Sequence, residues 1–220
     1  MENAVKFLEI QNFYLPKFAY WKLIDWKIKG NEIDDIIKNK LGWDITDYGS
    51  GNFSKNGLIH FTVRNGDPKD ALTGGKPYCE KIMIIKEGQM TPLHHHQLKI
   101  EDIINRSGGT LLIEVYNVSQ EEKLDNSDVK ISIDGEQKHV KAGSVIELKP
   151  GESITIFPNH YHRFWAKDGN GKVLIGEVSS VNDDYKDNKF LTPTKRFTEI
   201  EEDEDPLYLL SDDYIKFLKR

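Results

Sequence analysis

The sequence predicts a mainly β protein: an antiparallel β-barrel or sandwich with a helical arm at its N-terminus and a short helix at its C-terminus. Three observations predict it. From Gly51 to about Val181 the chain is written in short apolar runs cut by Gly, Asn, Asp and Pro, with no helical pattern between them, as expected for an antiparallel sheet that closes on itself. The first fifty residues instead carry an aromatic cluster and helical spacing. The tail holds an acidic block and then a run suited to capping a helix.

Taken in order, Val5, Phe7, Leu8 and Ile10 suggest a short amphipathic segment, and Phe18, Tyr20, Trp21 and Trp26 an aromatic cluster. Ile33, Ile36, Ile37 and Leu41 keep helical spacing, with Gly42 standing where the helix would be capped. Residues 1–50 therefore read as a helical arm. The run Leu58–Val63 ends at Asn65-Gly66, a turn signal. Further β runs follow at Tyr78–Ile85, Thr110–Val118, Val129–Ile133, His139–Lys141, Ser144–Leu148, Ser153–Phe157 and Val173–Val178, with Asp134-Gly135 as a hairpin turn. Residues 51–185 are read as the barrel that carries the chemistry. Residues 186–220 form a C-terminal extension of the same domain, in which Glu199–Asp205 is a solvated acidic loop and Ser211–Tyr214 start the last helix.

Composition narrows the function. A chain of 220 residues with 10% aromatic residues can bury one sizeable core. A net charge of −6 argues against nucleic acid or an anionic membrane as partner. The single cysteine, Cys79, forbids an internal disulfide and a paired-cysteine metal site. The N-terminus lacks the apolar core of a secretion signal, and no apolar run is long enough to span a bilayer. The expectation is a soluble cytoplasmic protein.

The informative stretch runs from Gly88 through His94-His95-His96 to Glu101. On an extended strand side chains alternate, so His94 and His96 share one face and His95 takes the other. Two imidazoles on one face can hold a metal, Glu101 can swing back with a carboxylate, and a neighbouring β segment offers His162. A single strand histidine is more often structural, but a set of three imidazoles and a carboxylate is what borderline divalent metals want. Such a site suits Mn²⁺ or Fe²⁺ better than a closed structural zinc.

These residues carry a resemblance. Gly88-x5-His94-x-His96-x4-Glu101-x6-Gly108 fits the first cupin motif without a gap. Gly151-x5-Phe157-x-Asn159-x2-His162 resembles the second, with Phe157 where the pattern has proline and Asn159 where it has glycine. Asn is the commonest stand-in for Gly at a left-handed turn, so that departure is mild. The fold so implied is a cupin-type antiparallel jelly-roll barrel, with His94, His96, Glu101 and His162 as metal ligands. Leu41–Ser50, Lys76–Met83, Glu101–Arg106 and Gly176–Asp183 further resemble the D-lyxose isomerases, across about residues 15–205. That resemblance implies a manganese-dependent interconversion of D-lyxose and D-xylulose, with D-mannose and D-fructose as a slower pair; Fe²⁺, Co²⁺ and Zn²⁺ are the alternative metals. It also implies a homodimer.

Acid–base equipment is sought on the same faces. Lys81 alternates with Cys79, Met83 and Ile85, and Glu177 with Val173 and Ile175. A charge on an apolar barrel face is expensive unless it is paired or does chemistry. Glu177 is the first candidate for the base, with Lys81 steadying an enediolate oxygen or passing the proton; Asp183 and Asp184 are candidates for sugar hydroxyls or for the base. His160 and Trp165 are left out of the site. Two other readings stay open on sequence: an Fe²⁺ cupin dioxygenase using the same ligands, and a non-catalytic sugar-binding cupin that senses its ligand; the latter would need a DNA-binding module, and the arm shows no clear basic recognition helix.

Overall fold

A computed structural model describes residues 1–181, 183, 186–195 and 204–218. The arm consists of α1 (Glu2–Ile10), α2 (Leu23–Lys27) and α3 (Asp34–Lys38), with 3₁₀ turns at Lys17–Tyr20 and Asn31–Ile33. It leads into β1 (Gly42–Thr46), a one-turn α4 (Phe53–Asn56), β2 (Leu58–Arg64) and β3 (Tyr78–Ile85). The site-bearing strands are β4 (His94–His96) and β5 (Glu101–Gly108). Then come β6 (Leu111–Val118), β7 (Leu124–Asp125), β8 (Val129–Ile133), β9 (Glu136–Val140), β10 (Ser144–Leu148), β11 (Ser153–Ile156), β12 (His160–Ala166) and β13 (Val173–Ser180). The chain closes with β14 (Asn188–Phe190) and α5 (Tyr214–Leu218).

Among the described residues the strands form two antiparallel sheets. One has the order β1-β2-β3-β13-β5-β11-β8-β9 and the other β10-β6-β12-β4-β14, with β7 beside β6. Their inner faces enclose an apolar core of Ile85, Ile103, Ile113, Val115, Ile131, Ile154 and Ile175. β-Branched residues dominate it because they fit a pleated, buried surface. A second core lies on the outside of the larger sheet, where Ala4, Phe7 and Leu8 of α1 cover Ile59, Phe61, Ile82 and Ile84. Each leucine, isoleucine or phenylalanine fully removed from water there contributes about 1.5–3 kcal/mol. Trp26, Ile33, Leu209 and Tyr214 make a third cluster that ties the arm to α5. There the Tyr214 hydroxyl donates to the Leu41 carbonyl at 2.6 Å.

Three details differ from the sequence reading. Residues 42–46, grouped with the helical arm on sequence, form β1 and pair with β2 from Gly42↔Thr62 to Thr46↔Leu58. The reason is that Trp43 and Ile45 face the arm while Asp44 and Thr46 face inward, so the apolar half of the alternation reads as part of the aromatic arm. The helix over 34–38 ends before Gly42; Lys40, at φ 50°, makes the left-handed turn. Asn65-Gly66 does not close a tight hairpin, since β2 and β3 are joined through residues 65–77 with a 3₁₀ turn at Ala71–Thr73. Asp134-Gly135 does, with φ of 49° and 87° joining β8 to β9.

Candidate metal centre and active-site cavity

β4 and β12 build the centre. His94 lies directly across from His162 in the β4–β12 pairing, and β4's period-two alternation brings His96 to the same face. Asn159 adopts φ 60° just before β12, the left-handed turn that lets the chain enter the strand with His162 inward. One ligand atom from each of His94, His96 and His162 falls within 4.8 Å of the others. Glu101, the first residue of β5, places Oε1 3.0 Å from His162 Nε2 and 3.2 Å from His96 Nε2. Sequence reasoning named these four residues, and the fold brings all four together.

The arrangement fits a divalent cation. His94 Nδ1 lies 3.0 Å from the Pro92 carbonyl and His162 Nδ1 3.1 Å from the His160 carbonyl. A proton held on each Nδ1 leaves the Nε2 lone pair for a metal. His96 Nε2 and Glu101 Oε1 are buried without a hydrogen bond, an expensive arrangement that a bound cation would relieve. Burial, joined by repulsion from His162 and His96, holds His94 well below the usual imidazole range, so its ring is neutral, as a ligand must be. Burial pushes the Glu101 carboxyl up, but Lys99 and the neighbouring histidines outweigh it and hold the group well below its ordinary value. His95 points the other way, its ring 4.7 Å from that of Tyr161.

A charged chain runs from this centre across the inner face of the larger sheet. Glu177 on β13 is the register partner of Lys81 on β3. Its Oε1 lies 3.7 Å from Lys81 Nζ and 2.9 Å from Lys99 Nζ. Lys99 also reaches Glu101 Oε2 at 2.6 Å. All four side chains are buried. Burial pushes the Glu177 carboxyl up, while the Lys81 and Lys99 ammoniums pull it down further, leaving it below its ordinary value. Sequence reasoning missed Lys99 in this charged chain. It sits on the turn between β4 and β5, where Asp187 accepts from the backbone N–H groups of Gln97, Leu98 and Lys99 at 2.9–3.0 Å, so face alternation could not place it.

The remaining sequence candidates divide. Asp183 lines an outer cleft rather than the cavity at the centre, with Oδ2 3.2 Å from Lys186 Nζ. Asp184 lies outside the described residues. His160 stays out of the histidine cluster, packing edge-on to Phe157, with burial and then His162 pushing it down to about 4. The cavity at the centre has a volume of about 50 Å³, and Tyr48, Phe164 and Phe190 are among the residues that line it.

Comparison with known proteins identifies the family and the fold. The family model described as D-lyxose isomerase matches residues 1–214. The chain is 45% identical over 223 residues to the D-lyxose/D-mannose isomerase of Serratia proteamaculans, covering 99% of this chain and 96% of that one. It is 45% identical over 214 residues to the D-lyxose/D-mannose isomerase of Escherichia coli O157:H7, covering 96% and 93%. Among solved structures, the L-ribose isomerase of Acinetobacter sp. DL28 in complex with L-ribose superposes with a TM-score of 0.52 at 16% identity, covering 90% of this chain and 94% of that one. The L-ribose isomerase of Cellulomonas parahominis with L-ribose gives 0.51 at 13% identity, covering 86% and 88%. The shared architecture is the cupin barrel, as the two motifs predict.

Proposed function

The chain belongs to the D-lyxose isomerase family, and from that premise we propose that it interconverts D-lyxose and D-xylulose, and more slowly D-mannose and D-fructose, with one Mn²⁺ held by His94, His96, Glu101 and His162. One observation carries the reading: three imidazoles and a carboxylate converge on a buried cavity whose wall is the Lys81–Glu177–Lys99 ion chain. Sugar isomerase family membership argues against the dioxygenase and sugar-binding alternatives. The same reading takes the working species to be a cytoplasmic homodimer that needs no nucleic acid or membrane.

When bound, the metal supplies a Lewis acid that polarises the substrate carbonyl and its neighbouring hydroxyl. The chain supplies the proton transfer. Glu177, kept ionised by Lys81 and Lys99, takes the proton from C2 of the open-chain aldose. The C–H electron pair becomes the C1–C2 double bond of a cis-enediolate, and the carbonyl oxygen takes the charge. Glu177 then returns the proton to C1, while the hydroxyl proton leaves O2 and O1 is protonated, giving the ketose. Lys99 and Lys81 face the negative charge that develops, and Lys99 also holds Glu177 against Glu101 at fixed spacing.

The test is a coupled assay of Mn²⁺-reconstituted protein against a panel of pentoses and hexoses, with one run in D₂O. The expected outcome is highest kcat/KM on D-lyxose and solvent deuterium at the transferred position. Absence of turnover on every sugar would overturn the activity. Complete retention of substrate hydrogen would replace proton transfer by a hydride shift.

A further inference from the structure

The cavity at the metal centre is too small for the whole of a sugar. About 50 Å³ holds a few water molecules, which suffices for the reacting two-carbon end of an open-chain sugar and excludes the rest. A second, larger cleft of about 430 Å³ lies outside it, and His60 and Lys81 line both. That volume is typical of a small-molecule site. The wall between the two spaces is therefore made by His60 on β2 and Lys81 on β3.

His60 is not alone in this wall. It is the register partner of Asp44 on β1, and its Nε2 lies 2.9 Å from Asp44 Oδ2. Both side chains are under a tenth exposed. An imidazole–carboxylate pair on the inner face of a barrel is costly to bury, and an apolar pair would fill the position at lower cost. A carboxylate beside a histidine fixes the ring's plane and tautomer, which is useful where the ring must meet a ligand. The outer cleft has a matching character. Its Lys38 is bonded to Asp70 at 2.8 Å, Lys40 to Asp212 at 3.1 Å and Lys186 to Asp183 at 3.2 Å. With these cations already matched by carboxylates, the lining suits a neutral chain of hydroxyls better than a phosphate.

We propose that His60 and Asp44 form a hydroxyl-recognition subsite at the wall between the two spaces, holding the non-reacting end of an open-chain polyhydroxy substrate while its carbonyl end occupies the metal cavity. The proposal rests on the isomerase reading above and extends it: the pair sets which hydroxyl configurations beyond C2 are accepted. His60 is thus a specificity-determining residue, and Asp44 a positioning residue that acts through it.

The experiment uses His60→Gln and the nearly isosteric Asp44→Asn in the full-length, Mn²⁺-loaded protein, each checked for melting temperature and metal content. The probe is D-arabinitol, which has the carbon chain of D-lyxose and no carbonyl, titrated calorimetrically. The expected result is unchanged metal content, a roughly tenfold weaker D-arabinitol affinity in His60→Gln and a smaller loss in Asp44→Asn, the scale of a lost buried hydrogen bond. The preference for D-lyxose over its C3 and C4 epimers should narrow as well. D-arabinitol binding that is equal in wild type and both variants, or absent from the wild type, overturns the subsite. Binding that depends on His60 in a protein that turns over no sugar sustains the subsite and overturns the isomerase reading instead.

Discussion

β2 and β3 carry two surfaces of opposite character on one backbone. Outward, Ile59, Phe61, Ile82 and Ile84 lie beneath α1 and form ordinary core. Inward, on the residues between, stand His60, Thr62 and Lys81, all buried. Each strand therefore spends one face on stability and the other on chemistry. The inner face is expensive, because the Lys81–Glu177–Lys99–Glu101 chain removes four charges from water and mutual attraction returns only part of that cost. The outer face offsets it by apolar burial. The arm, remote from the centre, thus supports a strand pair whose inner face would not be retained for stability alone.

The largest effect is expected at the centre itself. His162→Ala removes one of the three clustered imidazoles. Metal affinity should fall by at least one or two orders of magnitude, since even loss of a residue behind a ligand costs that much, and turnover should fall with it. Titration with Mn²⁺ followed by a metal assay checks this; full occupancy and activity in the variant would remove His162 from the ligand set.

Glu177→Gln separates chemistry from binding on the inner face. The amide keeps the shape and leaves the three histidines and Glu101 in place, so metal content should hold. Turnover should drop roughly 10²–10⁴-fold, the usual contribution of a general base. An equal fall in metal content would mean that Glu177 serves mainly to hold Lys99 and Glu101.

The outer face should answer in the opposite currency. Leu8 of α1 is about 1% exposed in the core beneath the arm. Leu8→Ala should cost about 2–5 kcal/mol of folding free energy, the range for a buried leucine cut to alanine. Below the melting transition, kcat and metal affinity should stay within about twofold of wild type. Denaturant titration alongside steady-state kinetics measures both, and a large kcat loss in a folded variant would show that the two faces are coupled.

Much of the site was legible because its residues obey short-range rules. His94, His96 and His162 follow strand alternation and one cross-strand pairing, and Asn159 takes the left-handed turn that its place in the motif required. Lys81 and Glu177 were visible as charges on apolar faces and prove to be register partners. What escaped depends on tertiary contacts. Lys99 owes its position to Asp187, some ninety residues along the chain, which clamps the turn that carries it. The Asp44–His60 pair was hidden because β1 read as part of the arm, so no strand existed to set Asp44 beside His60. Asn188 and Phe190 line the centre through β14, whose pairing with β4 has no local signature.

The smallest effect is expected at His95, and it tests the alternation argument directly. His95 lies between two clustered histidines in sequence, yet its ring packs against Tyr161 on the other side of the strand. Both of its ring nitrogens are buried without a hydrogen bond, and burial lowers its pKa, so it is a neutral ring held among packed side chains. Replacing an unsatisfied polar ring by an apolar side chain of similar size removes a desolvation penalty rather than an interaction. His95→Leu should therefore retain its full complement of Mn²⁺ and its kcat within about twofold, and its melting temperature should hold or rise. Metal content by elemental analysis, read beside a thermal melt, decides the point. A folded His95→Leu protein that binds no metal would show that β4 does not hold the alternation that sets His94 and His96 on one face and His95 on the other.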